Sequence, residues 1–252
     1  MIHLYGMSSP NVLKITIMLE ECALPYRVHH INVFAGRQFD PEFLRISPNN
    51  KVPVIVDEQG PGGASFSAFE SGAILLYLAR KTGSGLLPAD PVAHSLVEQW
   101  LIVQLASVGP MFGQCVHFLR HAPEGNDYSR ERYASEVKRL CAMLNRRLQD
   151  CAYLGGSQYS LADIATFPWI RTATLMFPWL AGPAGPQPTQ SGDAGLEPYP
   201  ALRSWFSNIA ARPAVQRGIE AGERFLANDV AAFKSADAEA FDRFFGRGKF
   251  AY

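Results

Sequence analysis

The amino-acid sequence changes character once, across a segment containing glycine and proline at residues 82–91. Before this segment, short runs rich in β-branched and aromatic residues alternate with helical patterns; after it, apolar residues recur at three- and four-residue steps. Glycine and proline interrupt regular structure, so the segment is predicted to be a linker. We therefore predict an α/β domain over residues 1–82, an all-helical domain over residues 91–226 and an aromatic-rich tail over residues 227–252.

The first domain follows the order β–α–β–α–β–β–α. Strand-like runs begin at Ile2 and Tyr26 on either side of a helical pattern, and a β–α–β unit of this size favours two parallel strands with a right-handed crossover. Pro53 precedes a third run, and proline is tolerated at the first position of a strand. Residues 65–68 are expected to return beside that run as an antiparallel strand. This order of elements predicts a thioredoxin-like fold.

The second domain is predicted to be an all-α helical bundle. A long helix over Val92–Arg120 contains Gly109-Pro110, where a kink or break is expected. Ser160, followed three residues later by Asp163, is typical of a capping box at a helix start. Residues 181–200 hold too many glycines and prolines for regular structure and are predicted to form a long loop.

The tail is rich in aromatic residues, which argue against plain disorder. These residues are Phe233, Phe241, Phe244, Phe245, Phe250 and Tyr252. We expect the tail to pack back on the body of the protein or on a partner chain.

Charge and composition exclude several classes of protein. The 23 basic and 23 acidic residues cancel, so no global field attracts nucleic acid or an anionic membrane. The sequence has no run of about 18 apolar residues to span a bilayer, and its first residues lack the basic region of a signal peptide. The four cysteines lack metal-site spacing and are predicted to be small buried hydrophobes. We expect a cytoplasmic protein without a metal.

Glu70 and Ser71 are predicted to open a helix, since an apolar run follows them at once. A helix start presents unpaired backbone N–H groups and a partial positive charge, so it binds carboxylates well. Glu70 is able to accept a hydrogen bond from an ammonium group. The pair therefore suits a ligand that carries an amine and a carboxylate on one carbon. A simple helix cap explains the same residues, and the pattern by itself leaves both interpretations open.

Four stretches of the first domain, taken together, indicate a family. They are Ser9-Pro10-Asn11, Gln38-Phe39, the run FLRISPNNKVP that ends at Pro53, and the run ESGAILLYL that begins at Glu70. They resemble the cytosolic glutathione transferases, and in particular the bacterial nu class, the glutathione-dependent disulfide-bond oxidoreductase type. The resemblance covers residues 1–225 and implies the glutathione transferase fold, a thioredoxin-like domain followed by a helical bundle.

The resemblance implies a glutathione site in the first domain. Glu70 and Ser71 suit the γ-glutamyl amine and carboxylate, and the backbone of Val52 pairs with the cysteinyl part, before a Pro53 that is cis in the family. Arg132 matches an arginine that the class extends across the dimer toward a second glutathione, although a solvated arginine on a helix face explains it equally well. The implied glutathione-binding residues are Asn11, Gln38, Lys51, Val52, Pro53, Glu70, Ser71 and Arg132.

The chemistry of this family needs a glutathione thiolate, and a free thiol with a pKa of about 8.5 is little ionised at neutral pH. The turn at Ser9-Pro10-Asn11 contains no cysteine, so the thiol comes from the ligand. The resemblance favours Asn11 and Ser9 as the catalytic residues that polarise the sulfur. Tyr5 is the alternative, because several other classes place a catalytic tyrosine near the end of this strand.

The resemblance thus implies a homodimeric enzyme with glutathione as co-substrate, which reduces disulfide bonds and weakly conjugates small electrophiles. Glutathione-dependent ether cleavage and removal of glutathione from aromatic adducts are alternatives, motivated by the long loop and the tail. A non-catalytic binding module is a third alternative. The complete set of site residues argues against that third alternative, because a degenerate module need not keep them.

Overall fold

The computed structural model describes residues 1–177, 179 and 196–247. These residues form two compact units, Met1–Lys81 together with the chain from Ala214 onward, and Thr82–Pro213. The predicted division differs, since it placed residues 214–226 in the helical domain and the tail by itself. Helical periodicity identifies such a segment as a helix but does not tell which unit the helix packs on.

The first unit is built on a four-stranded sheet of order β2-β1-β3-β4. Its strands are β1 (Ile2–Gly6), β2 (Tyr26–His30), β3 (Val54–Asp57) and β4 (Phe66–Phe69). Strand β1 runs parallel to β2, while β3 is antiparallel to both β1 and β4. The predicted parallel pair and the predicted hairpin are therefore confirmed, and the unit is thioredoxin-like.

Three helices of the first unit lie between or after these strands. They are α1 (Pro10–Glu21), α2 (Pro41–Ile46) and α3 (Ser71–Thr82), with short 3-10 helices at Arg37–Phe39 and Pro61–Gly63. The most deeply buried side chains come from β1, α1, β3 and α3, and include Leu4, Ile15, Ile17, Ile55 and Ile74. This apolar core fixes the ends of α1 and α3 at which the predicted site residues lie.

Over its described residues the second unit is mostly helical, in agreement with the predicted helical bundle. Its helices are α4 (Pro91–Val103), α5 (Gly109–Arg120), α6 (Asp127–Asp150), α7 (Leu161–Met176) and α8 (Pro200–Ala210). The capping box at the start of α7 is confirmed, because the Ser160 side chain and the Asp163 carboxylate each bond the other's backbone N–H. Asp163 also accepts hydrogen bonds from the backbone of Leu154 and the indole of Trp205.

The helix is not broken at Gly109-Pro110; its irregular part lies just before these residues. A π-helical segment, Gln104–Val108, joins α4 to α5, and Pro110 lies in the first turn of α5, where it is tolerated. The chain therefore stays helical over Pro91–Arg120. By length and composition this stretch resembles a membrane span, although the core helix of a soluble protein passes the same test and one such helix is weak evidence.

The chain ends with α9 (Pro213–Glu223), α10 (Leu226–Ser235) and α11 (Ala238–Phe244). The tail packs back on the body, which was one of the two expectations. The ring centroid of Phe34 lies 5.5 Å from that of Phe233 and 4.6 Å from that of Phe244. Phe250, Tyr252 and the predicted loop, apart from residues 196–200, lie outside the described residues.

Candidate active site

The start of helix α3 forms the first wall of the site. Glu70 joins β4 to α3 with a left-handed backbone (φ 67°), which is uncommon for a residue that carries a side chain. Its exposed carboxylate accepts a hydrogen bond from the Asn49 side chain at 3.1 Å. Ser71, the first residue of α3, is buried. Such backbone conformations persist where the surroundings hold them, and they cluster at binding sites.

A buried lysine lies beside Ser71. The Lys14 side chain is 1% exposed, and its Nζ donates to the Ser71 Oγ at 3.1 Å. Burial lowers the pKa of Lys14 to about 7, while the negative charge of Glu70 acts in the opposite direction. Lys14 is not among the predicted site residues. The sequence did contain a signal for it, however, because Lys14 lies inside the apolar run VLKITIML of α1. A lysine in such a run is expected to be buried, and a buried lysine almost always has a polar or charged partner.

The loop before β3 forms the second wall. The Ser47 hydroxyl donates to the Lys51 carbonyl at 2.8 Å and accepts from the Lys51 N–H at 3.3 Å, which holds the loop closed. The peptide bond between Val52 and Pro53 is cis, as the resemblance implies. Within the described chain, the backbone N–H and carbonyl of Val52 form no hydrogen bond. Both groups are thus available to pair with a peptide-like ligand.

The start of helix α1 forms the third wall. Ser9 caps this helix, and its hydroxyl accepts a hydrogen bond from the Val12 N–H at 3.3 Å. Asn11 follows two residues later, in the first turn. Tyr5, the alternative catalytic residue, stacks its ring on His29, with centroids 4.7 Å apart, and does not line the pocket described below.

These three walls enclose a pocket of about 160 Å³. Its lining residues are Asn11, Ser47, Asn49, Lys51, Val52, Pro53, Glu70 and Ser71. The structure thus brings six of the predicted site residues together and adds Ser47 and Asn49, which belong to the motif that ends at Pro53.

Three predicted residues do not line this pocket. Ser9 caps α1 next to it. Gln38 is buried in the first 3-10 helix, and its Oε1 has no hydrogen-bond partner among the described residues. Arg132 is exposed on α6 in the other unit. Their assigned roles in binding and catalysis stay predictions.

The arrangement suits a zwitterionic peptide better than a metal ion. A helix start with a buried lysine beside it attracts a carboxylate, Glu70 attracts an ammonium group, and an open backbone edge pairs with a peptide. No cysteine lines the pocket, and burial raises the pKa of the Cys115 and Cys141 thiols to about 11 and about 12. Across the described residues, no three His, Cys, Asp or Glu side chains are grouped to hold a metal.

Comparisons with known proteins agree with this geometry. Residues 1–80 match the model for the N-terminal domain of glutathione S-transferases, and residues 110–213 match the model for the C-terminal domain. The chain is 44% identical over 220 residues to the disulfide-bond oxidoreductase YfcG of Escherichia coli, covering 87% of this chain and 94% of YfcG.

Two solved structures are similar over most of their length. A glutathione transferase family member from Pseudomonas fluorescens with two glutathiones bound has a TM-score of 0.77 and 41% identity, covering 87% of this chain and 92% of that one. A glutathione transferase from Pseudomonas putida with one glutathione disulfide bound per subunit has a TM-score of 0.76 and 38% identity, covering 87% and 90%.

Proposed function

The chain belongs to the glutathione S-transferase family, and on that premise we propose that it binds glutathione in its first unit and uses the glutathione thiolate to reduce disulfide bonds. The observation that carries this proposal is the pocket in which Glu70, Ser71, Val52 and Asn11 converge. The similarity to YfcG, a disulfide-bond oxidoreductase, and to transferases that hold two glutathiones or their disulfide supports it.

In this proposal each part of glutathione has its own partner. The γ-glutamyl carboxylate binds at Ser71 and the start of α3, with Lys14 behind it, and the γ-glutamyl ammonium binds at Glu70. The cysteinyl backbone pairs with the N–H and carbonyl of Val52, much as a strand is added to a sheet edge. Lys51, which is exposed at the rim, meets the glycyl carboxylate together with Gln38.

This pose directs the glutathione sulfur toward the start of α1. The partial positive charge of the helix start and the side-chain amide of Asn11 stabilise the thiolate, and Ser9 holds that start in place. No cysteine of the chain is needed, since the ligand supplies the reactive sulfur.

Disulfide reduction then proceeds by two exchange steps. A glutathione thiolate attacks one sulfur of the substrate disulfide, so that a mixed disulfide forms and one substrate thiolate leaves. A second glutathione thiolate attacks the glutathione sulfur of the mixed disulfide, forming glutathione disulfide and releasing the second substrate thiolate. The substrate gains two electrons and two protons, and the two glutathiones lose them.

The assembly and location follow the same premise. Members of the family are typically dimers, and we propose a homodimer in the cytoplasm in which Arg132 of one subunit reaches the second glutathione held by the other.

Weak conjugation of small electrophiles uses the same thiolate. Ether cleavage and removal of glutathione from aromatic adducts stay alternatives, which turnover screens with both substrate types distinguish from disulfide reduction.

Calorimetric titration with reduced and oxidised glutathione tests the proposal. The wild type is expected to bind two glutathiones or one disulfide per subunit, and Glu70→Ala is expected to abolish measurable binding, because it removes the partner of the ligand ammonium. Glu42→Ala is the matched control, since Glu42 lies on α2 in the same unit with its side chain 89% exposed. Full affinity in Glu70→Ala would refute the site, and no binding to the wild type would refute the function.

A further inference from the structure

The tail reaches the turn that precedes helix α1. Asp229, on α10, is 6% exposed, and its Oδ2 accepts a hydrogen bond from the backbone N–H of Ser8 at 2.6 Å. Its Oδ1 lies 2.7 Å from the Nε2 of His30, at the end of β2. One buried carboxylate of α10 therefore binds both the turn before α1 and the end of β2, each about 200 residues earlier in the sequence.

The bond to Ser8 acts on the reactive end of the pocket. Ser8 directly precedes Ser9, the cap of α1, and Asn11 lies two residues further on. A hydrogen bond between a carboxylate and a backbone N–H is short and stronger than a neutral one. Since the backbone of Ser8 is held by Asp229, the position of the α1 start relative to the rest of the site depends on a residue of the tail.

An aromatic cluster keeps α10 in place. Phe34, four residues after His30, packs against Phe233 of α10 and against Phe241 and Phe244 of α11. These contacts bury Phe34 to 8% exposure together with Val33 and Ala232. The tail is thus attached to the first unit both by apolar packing against Phe34 and by the Asp229 carboxylate.

We propose that Asp229 is a positioning residue of the active centre, which holds the turn from Ser8 to Asn11 in the conformation that stabilises the glutathione thiolate. The catalytic part of this inference rests on the proposed function. The tail lies beyond residue 213, where the match to the family model ends, so nothing in that match assigns it a role in the site.

Backbone amide exchange tests the structural part without any ligand. In Asp229→Ala, exchange of the Ser8 amide, followed by NMR, is expected to accelerate about tenfold or more, because its charged acceptor is removed. Asp229→Asn keeps an oxygen that accepts from the Ser8 N–H and should restore most of the protection. Asp242→Ala is the matched control, since Asp242 lies on α11 with its side chain 49% exposed and pairs with Arg247.

The pKa of the bound glutathione thiol, measured by thiolate absorbance, tests the catalytic part. Asp229→Ala is expected to raise this pKa and to lower kcat more than it changes KM, while Asp242→Ala does neither. Unchanged Ser8 exchange in both Asp229 variants would overturn the inference. Faster Ser8 exchange with an unchanged thiol pKa would also overturn it, because the tail would then be only a structural support. A wild type that binds no glutathione defeats the proposed function, and Ser8 exchange still decides the positioning.

Discussion

The amine of Lys14 is buried away from water beside the site, and its protonation therefore changes near neutral pH. Burying a charge costs free energy unless partners replace the lost hydration. Here the Ser71 hydroxyl and the negative charge of Glu70 are such partners, yet the pKa of Lys14 still falls to about 7. A carboxylate bound at Ser71 would bring a further negative charge close to Lys14 and favour its protonated form.

The pKa of Lys14 predicts how stability changes with pH. It is about 7 in the folded chain against an ordinary value of 10.5, so between these values the unfolded chain binds more protons than the folded chain. The burial penalty is therefore complete below pH 7, and the free energy of unfolding contributed by this group rises as pH increases toward 10.5. Urea unfolding below pH 7 and well above it measures this slope.

Lys14→Met, which fills the same space without a charge, is expected to remove that contribution to the slope. Lys51→Met is the matched control, because Lys51 lines the same pocket but is exposed. An identical pH dependence in the wild type and Lys14→Met would contradict the assigned pKa.

Asn11 is predicted to act on turnover more than on affinity. Asn11→Ala removes a donor to the thiolate while the partners of both carboxylates and of the ammonium remain. We expect kcat for disulfide reduction to fall about tenfold to a hundredfold, the range for one hydrogen bond to a charged group, with little change in glutathione affinity. Tyr5→Phe keeps the ring stacked on His29 and is expected to retain kcat. A larger loss of kcat in Tyr5→Phe than in Asn11→Ala would instead assign the activation of the glutathione thiol to Tyr5.

Between elements, the contact of α9 with α1 depends on one glycine. A Cβ added at Gly218 would lie 2.7 Å from the Cα of Ile17, and the Gly218 carbonyl accepts a hydrogen bond from Thr16 Oγ1 at 2.8 Å. A Cβ at Gly222, one turn later, would lie 3.4 Å from the Leu13 side chain, an ordinary contact. The two glycines of α9 thus differ in how closely the backbone of α1 approaches them.

This difference predicts opposite effects of the same substitution. Gly218→Ala forces the two backbones apart and is expected to destabilise the protein by about 1–3 kcal/mol, as overpacking does. Gly222→Ala has room for its methyl group and is expected to be neutral or stabilising by up to about 1 kcal/mol, since alanine favours a helix over glycine. Urea midpoints of the two variants measure this, and equal effects would contradict the packing described.

At the scale of the whole molecule, local patterns predicted the sheet and most helices, because each of them is encoded within a few consecutive residues. The proline before β3 and the capping box of α7 are examples. The helix-start pattern indicated Glu70 and Ser71 as a ligand site, and the family resemblance favoured that interpretation and added Val52. Lys14 was missed although its place inside an apolar run marked it, whereas Asp229 has no such local signal, because its role arises only from its bond to Ser8, 221 residues away. The same holds for α9, whose partner Thr16 lies 202 residues away.

The separation of Ser8 and Asp229 along the sequence also has a consequence for the synthesis of the protein. A ribosome adds roughly 5–20 residues per second, so the 221 residues that separate the two partners take roughly ten to forty seconds to appear. Once β4 has been synthesised, the nascent chain contains all four strands and α1, but it does not yet contain the carboxylate that binds the turn between β1 and α1. If Asp229 positions the turn as proposed, the thiol site is completed only after residue 229 has been synthesised, and a chain released before that residue would lack it.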